Sequence, residues 1–466
     1  MKTIIKKELL DHLQSIQFSV LVVISIVLFV ANGIIFVKKY NEQNSWYNEQ
    51  VAQLNQNPST MGTTLPAKPN SLLFLAEGGD KYRPSSYQLS PKGRLSAMAG
   101  KERNFKMPDI PELDWAFIIK IIFMLYVLLL GYASISGEKE QGTLRLILSN
   151  SQGRIKLLVS KYIAIIQTVM IPLIIGALIS LIIVAFSIPQ ILTLDNFMRI
   201  LLLLFLTITY LSIFAFLSLL ISSLIHQSSM VLLVLLAAWI LFAIIIPNVP
   251  SILSEEFSKV PSEYEIANQV GPMIQKQVWE RINKIREGVE QGQIKTEEEL
   301  KKQTDEAFEQ GQQDLAGHYQ RYEDAMKQRA RMARNLSRVS PTALFQFASE
   351  SIAQTGVNQE EQFQKDARNY SASYDNYILK KVGKVVATSP WSFSTNIELD
   401  GTSIYIGSPH PEEYQGDKSD FPRFEESQPA IFRSLRNALF DLAGLILWNL
   451  VLAVLAFAAF VRCDVR

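Results

Sequence analysis

The chain has 466 residues, 48% of them hydrophobic, with a formal net charge of +1. That near-neutral balance gives no electrostatic case for nucleic acid, and the apolar residues gather in six blocks near or above the roughly 18–20 residues that span a bilayer. A single cysteine, Cys463, excludes an internal disulfide or multi-cysteine metal cluster, and four histidines argue against a histidine-based site.

Residues 1–16 place Ile5, Leu9, Leu10 and Leu13 on one helical face, with Lys2, Lys6, Lys7 and Glu8 largely elsewhere. An elbow helix lying in the membrane interface has this pattern; a positively charged flank to the first span is the plainer alternative. Residues 18–37 are uncharged and form the first expected span, with Asn32 near its far end. Ala31-Asn32-Gly33 offers a weak cleavage site, but the apolar core exceeds the roughly 7–15 residues of a signal peptide, so an uncleaved anchor is expected. Residues 38–114 carry turn signals at 77–80 and 83–86 and one apolar patch at 72–76, and read as a small, loop-rich insert outside the membrane.

Residues 115–246 supply the next four spans. The second, 115–136, opens on Trp115 as an aromatic anchor and carries Lys120, which is expected to snorkel to the near interface. The third, 162–186, holds Gln167 and a helix-kinking Pro172; the fourth and fifth are 200–225 and 230–246. Between the second and third lies Ser136-Gly-Glu-Lys-Glu-Gln-Gly-Thr-Leu-Arg-Leu-Ile-Leu-Ser149, closed by Gly153-Arg154. Glu138, Lys139, Glu140 and Arg145 would each cost about 2.5–3.5 kcal/mol at the bilayer centre. The segment therefore lies on one membrane face, as a polar handle.

Residues 247–433 form a second insert, mostly helical. Ser262 with Glu265, Thr296 with Glu299, and Asn358 with Glu361 have capping-box spacing, and Ser340-Pro341 is an N-cap with proline at the first helical position. Ile266, Val270, Met273, Val278, Ile282, Ile285 and Val289 form one apolar stripe; Leu300, Phe308, Leu315, Tyr319, Tyr322, Met326 and Ala333 form another. Two such charged rods are expected to pack as a long antiparallel hairpin, with the stripes as core rather than ligand groove. Residues 391–406 alternate about Asp400-Gly401 and predict a β-hairpin. Residues 434–466 hold the sixth span, 442–461, with Trp448 and Asn449 inside it.

Lys2, Lys6 and Lys7 precede the first span, Arg145, Arg154, Lys156 and Lys161 follow the second, and Arg462 and Arg466 follow the sixth. With six spans these segments share one side, which the positive-inside rule makes the cytoplasm. The expectation is a multi-pass protein of the cytoplasmic (inner) membrane, with both termini cytoplasmic and both inserts extracytoplasmic. No Gly-x-x-x-x-Gly-Lys-Ser/Thr run occurs, so the chain holds no P-loop. An intramembrane enzyme would need paired ionisable groups at mid-depth; the polar residues that stand out are Asn32, Lys120, Gln167, Asp441 and Asn449.

The handle's Glu138-x-x-x-Gly142-Thr143-Leu144, with Arg154 and Lys161, resembles the coupling segment of ABC-2-type transporter permeases. Lys7-Glu8, Ser222-Ser223 after the fourth span and the terminal residues 460–466 extend the likeness across the membrane domain. It is nearest the branch that includes the permease of the nitrous-oxide-reductase maturation system and the gliding-associated permeases. Many such permeases place a proline after the coupling helix, where this chain has Asn150-Ser-Gln-Gly153, and its inserts are larger than the minimal pattern.

The resemblance implies a mainly α fold: a six-transmembrane-helix, type V exporter-like membrane domain with two extracytoplasmic inserts, the second rich in helical hairpin. It implies a coupling helix over 137–154, with Glu138, Glu140, Gly142, Thr143, Arg145, Ser149 and Arg154 in ATPase coupling and Lys6, Lys7 and Glu8 on the elbow helix. Glu138 and Glu140 would face basic residues of the ATPase, and Gly142-Thr143 would allow close backbone approach; a solvated helix start, with acids at its positive end, is the alternative. The implied partners are a cytoplasmic ABC ATPase dimer carrying ATP and Mg2+, a second permease (self or a similar chain), membrane lipid, and a periplasmic or lipoprotein partner. No cofactor is expected in this chain. The implied function is export or extraction of a substrate; the alternative is a mechanotransmission or scaffold subunit that moves an envelope partner and carries no solute.

Overall fold

Backbone groups inside a bilayer must bond among themselves, which restricts apolar runs of this length to helices. The computed structural model describes residues 2–79, 83–92, 94–98, 113–149, 153–247, 249, 263–386, 393–427 and 430–462. Among the described residues six helices are long and apolar enough to cross a membrane: α2 (Ile16–Gln56), α3 (Trp115–Glu140), α5 (Arg154–Ser187), α6 (Leu194–Leu224), α7 (Ser228–Ile245) and α12 (Ile431–Arg462). Two short helices accompany them, α1 (Lys2–Leu13) before the first span and α4 (Thr143–Ser149) in the handle.

Span α2 has 41 residues, which at 1.5 Å per residue is roughly 60 Å, twice the hydrocarbon core. The loop-rich reading of 38–114 therefore fails over its first part, where the helix runs on to Gln56. Lys, Glu, Gln and Asn extend a helix already nucleated by an apolar segment at little cost, although their composition alone reads as loop. Beyond α2, β1 (Thr63–Pro66), β2 (Ser86–Ser90) and β3 (Arg94–Met98) form an antiparallel sheet, with Thr63 opposite Leu89 and Tyr87 opposite Ala97. The apolar patch Leu72, Leu73, Phe74, Leu75 and Ala76 is buried, and its carbonyls at Phe74 and Leu75 accept from the Trp115 and Ala116 amides that open α3.

The second insert contains α8 (Glu263–Glu290), α9 (Glu297–Ser337), α10 (Pro341–Ala353) and α11 (Val357–Val382), then β4 (Ser394–Leu399) and β5 (Thr402–Gly407). Helices α8 and α9 pack through Ile274, Val278 and Ile282 against Leu300, Phe308 and Leu315, and the strands add Ile397, Leu399, Ile404 and Ile406 to the same core. The later half of the α9 stripe is not core in this way: Met326 is exposed. Asp400 and Gly401 take φ values of 49° and 78°, as a two-residue type I′ turn requires. Thr296 caps α9 by accepting from the Glu299 amide, and Ser340 precedes α10 with Pro341 at its first position. Asn358 is not a cap: Gly356 holds that position at φ 86°, so the chain is already helical at Val357. Ser262 lies outside the described residues.

The two inserts join at the same end of the spans. Ser59 Oγ bonds Glu413 at 2.6 Å, Thr60 Oγ1 donates to the Glu412 carbonyl at 2.7 Å, and Arg83 pairs with Glu426 at 2.8 Å. Tyr87 and Leu89 of the sheet pack on Phe363, Tyr374 and Ile378 of α11.

Within the bundle, α3 and α6 are the most enclosed spans. A π turn at Ile119–Phe123 frees carbonyls of α3, and Tyr210 Oη (3.3 Å, to Lys120) and Trp239 Nε1 (3.1 Å, to Ile121) donate to them. One expectation about α3 needs correction. Trp115 is buried between Phe29 and Phe74 rather than exposed as an anchor, because its indole N–H finds Ser180 Oγ at 3.1 Å and Ser180 in turn bonds Asn32. Lys120 reaches Gln346 Oε1 of α10 at 2.8 Å. Nearer the handle, a Cβ on Gly131 would fall 1.9 Å from Ser218 Oγ, so only glycine permits this approach of α3 to α6. Gly131→Ala should lower the thermal stability of the purified protein by about 1–3 kcal/mol through overpacking. The Gly131→Ala/Ser218→Gly double variant should recover part of it, and equal melting of the single variant and wild type would refute the contact.

Candidate functional site

Consecutive residues of a helix point about 100° apart, so three neighbouring charged side chains can reach three different elements. Glu138, Lys139 and Glu140 at the end of α3 do this. Glu138 Oε1 accepts from Lys161 Nζ of α5 at 2.7 Å, and the same ammonium bonds Glu8 of α1 at 3.0 Å. Lys161 is buried, and the two carboxylates are its ionic partners. Lys139 Nζ donates to the Ser223 carbonyl at the C-terminal end of α6, where unpaired carbonyls favour a cation. Glu140 accepts from Ser228 N at 2.9 Å and Ser228 Oγ at 2.8 Å, capping the N-terminal end of α7 with a carboxylate from another helix.

A hydroxyl repairs the helix just above these charges. Ser222 Oγ accepts from the Ile135 and Ser136 amides at 3.0 and 2.9 Å and donates to the Tyr132 carbonyl at 2.9 Å, where α3 carries an irregular turn. Below them, Gly142 adopts φ 69° and ends the helix, its amide bonding the Lys139 carbonyl at 3.0 Å. A Cβ there would meet nothing within 4 Å, so the demand for glycine is conformational. Thr143 Oγ1 donates to the Glu138 carbonyl at 3.3 Å.

Of the remaining expected handle residues, Arg145 is exposed, and beside it Leu144 is buried while Leu146 is 72% exposed. Arg154 donates to the Val461 carbonyl at the end of α12. The side chain of Ser149 lies outside the described residues. Ile155 and Lys156 are exposed at the start of α5. The structure therefore directs Glu138 and Glu140 towards α1, α5 and α7 and leaves Arg145 and Leu146 facing out.

On α1, Lys6 and Lys7 are exposed as expected, but the inward face is rotated from the expected one. Glu8, Leu9, His12 and Leu13 are partly covered, whereas Leu10 is exposed. The ion pair with Lys161 accounts for the rotation, since Glu8 must face α5 to reach it. Burial pushes the His12 imidazole below its ordinary pKa of 6.5, against the opposing pull of Glu8 and with a smaller push from Lys161.

Sequence reasoning used Lys161 for sidedness and as part of the coupling-segment resemblance, and missed it as the centre of the site. The available signal was a lysine inside Leu157-Leu-Val-Ser-Lys-Tyr-Ile-Ala-Ile165, with no acid within one turn, whose counter-ion had to come from another element.

The family model of the ABC-2 family transporter protein matches residues 2–465. The chain belongs to this family. No curated protein matches it. The match runs through both inserts, further than the membrane domain on which the resemblance was first read. As an ABC-2 permease, the chain is an integral membrane protein and the permease subunit of an ABC transporter, a class that works with an ABC ATPase.

Removing Lys161 from this permease would leave two carboxylates facing each other without a counter-ion. Lys161→Met should destabilise it by about 3–5 kcal/mol, as for other broken buried pairs, and loosen α1, read as faster trypsin cleavage after the already exposed Lys6 and Lys7. The Glu8→Gln/Glu138→Gln/Lys161→Met triple variant should regain most of that stability, read by thermal unfolding in detergent. A single variant that melts with wild type would remove the triad from the account.

Proposed function

We propose that this permease couples ATP hydrolysis by a separate cytoplasmic ATPase, through residues 137–154, to export or extraction of a substrate. The observation that carries the reading is the set of attachments made by Glu138, Lys139 and Glu140, which join the handle directly to α5, α6 and α7 and, through Lys161, to α1. A segment that receives force must be fixed to the helices it moves, and charge-assisted hydrogen bonds are the strongest non-covalent means of fixing it.

In this reading Glu138 positions the handle from within and Glu140 from its exposed edge, through Ser228. The ATPase meets its outward side, comprising Arg145, Leu146, Ile155 and Lys156, with the Gly142-Thr143 turn, Ser149 and Arg154 close by. The basic residues around the handle support a cytoplasmic position for it in an inner-membrane protein, with both inserts outside. ATP and Mg2+ bind the ATPase dimer, and a second permease, identical or similar, completes the complex.

A mechanical role is favoured by a separate observation. Helices α2 and α9 each run 41 residues without a break, α2 from its apolar segment into the first insert and α9 along the second. Continuous helices of that length suit the movement of an envelope or lipoprotein partner, with no solute carried. ATP-driven movement of a solute in proteoliposomes would exclude a purely mechanical role.

Purification of the tagged chain from its own host in mild detergent should bring an ABC-type ATPase in near-stoichiometric amount. Arg145→Glu combined with Leu146→Ser should weaken the association at least tenfold, about 1.4 kcal/mol, while the permease remains monodisperse. Undiminished ATPase with the double variant would show the outward side to be misassigned, and no ATPase with wild type would defeat the coupling reading itself.

A further inference from the structure

Spans α6 and α12 pack side by side, and the structure grips this pair at both ends. Midway, Asn449 Nδ2 of α12 donates to the Thr209 carbonyl of α6 at 2.8 Å. At the handle end, Lys139 holds the Ser223 carbonyl of α6 and Arg154 holds the Val461 carbonyl of α12. At the insert end, fully buried Arg199 of α6 donates from Nη1 to the Ile352 carbonyl of α10 and to Ser434 Oγ of α12, each at 2.8 Å.

Asp441 of α12, also fully buried, accepts from Arg338 Nε at 2.7 Å and lies 3.8 Å from Arg334 Nη2. Arg334 lies near the end of α9 and Arg338 is its C-cap, and their guanidinium groups stack on Phe347 and Phe440, each 4.7 Å from the ring centre. From Asp441 to Val461 is 20 residues (461 − 441) of one helix, about 30 Å, which matches the thickness of the hydrocarbon core. The Asp441 and Val461 attachments are thus separated along α12 by about the thickness of a hydrocarbon core.

We propose that α6 and α12 act as a transmission rod that carries movement of the handle to the α8–α9 arm, with Asp441–Arg338 as its outer joint. The inference rests on the coupling reading above, because an ATPase must first move the handle. Apolar packing between spans competes with equally apolar lipid, so it does not dictate which helices move together. Polar attachments do, and this pair has them at both ends and midway. Breaking the outer joint should therefore separate ATP turnover from movement of the arm. In this role Asp441 and Arg338 are positioning residues.

The test uses the full complex with its co-purified ATPase in nanodiscs, in a Cys463→Ser background. Spin labels at Asn55→Cys and Gln310→Cys report the arm against the end of α2. Wild type should hydrolyse ATP and shift the inter-label distance; Asp441→Asn should keep the hydrolysis and lose the shift. Separately, Asp441→Cys/Arg338→Cys, joined by a short bis-maleimide and read with fluorescent reporters at the same two sites introduced as unnatural amino acids, should regain the shift only when crosslinked. That rescue distinguishes a joint from a residue needed merely for folding, and it serves equally if Asp441→Asn does not fold. An unchanged shift in Asp441→Asn, or in the uncrosslinked cysteine pair, would overturn the proposal. An active wild-type complex whose arm does not move would overturn it too, with the coupling reading intact. A wild-type complex without ATP hydrolysis would overturn both.

Discussion

A buried ammonium requires a counter-charge, and Lys161 takes two, one from the elbow helix and one from the handle. That requirement organises the handle end of the molecule. It turns Glu8 inward on α1, brings Glu138 against α5, and leaves Lys139 and Glu140 on the adjoining sides of α3 to meet the ends of α6 and α7. The polar handle is thus a hub joined to four other helices, and the positive φ at Gly142 turns the following residues outward from it.

The same logic recurs at the insert end. Asp441 and Arg199 are fully buried charged groups; Asp441 takes two arginines from the end of α9, and Arg199 takes partners from α10, α12 and its own turn. Helices packed in lipid gain little from apolar contact alone, so such groups define neighbours where the apolar faces do not. Gly131 and Ser218 add a steric version of the same constraint, since their contact admits one register between α3 and α6.

Hydropathy made the six spans legible, and helical periodicity and capping made the α8–α9 hairpin so, because both patterns are local. The extension of α2 to Gln56 was hidden because a polar helix supported at one end has the composition of a loop. The partners of the handle's charges were hidden for another reason. Glu138 and Arg145 look equally suited to a solvated surface in sequence, yet one meets a lysine 23 residues away on another span and the other faces out. Asp441 stood out as a polar residue, but Arg338 is 103 residues distant, and nothing local pairs them.

The account is tested most directly by a photo-crosslinking amino acid placed at position 146, and separately at 155, in cells carrying the intact complex. Irradiation should yield a covalent adduct with an ABC ATPase from both positions, as expected if the handle's outward side is the docking face. Adducts with lipid alone, while the complex purifies whole, would place that side in the membrane and contradict the account.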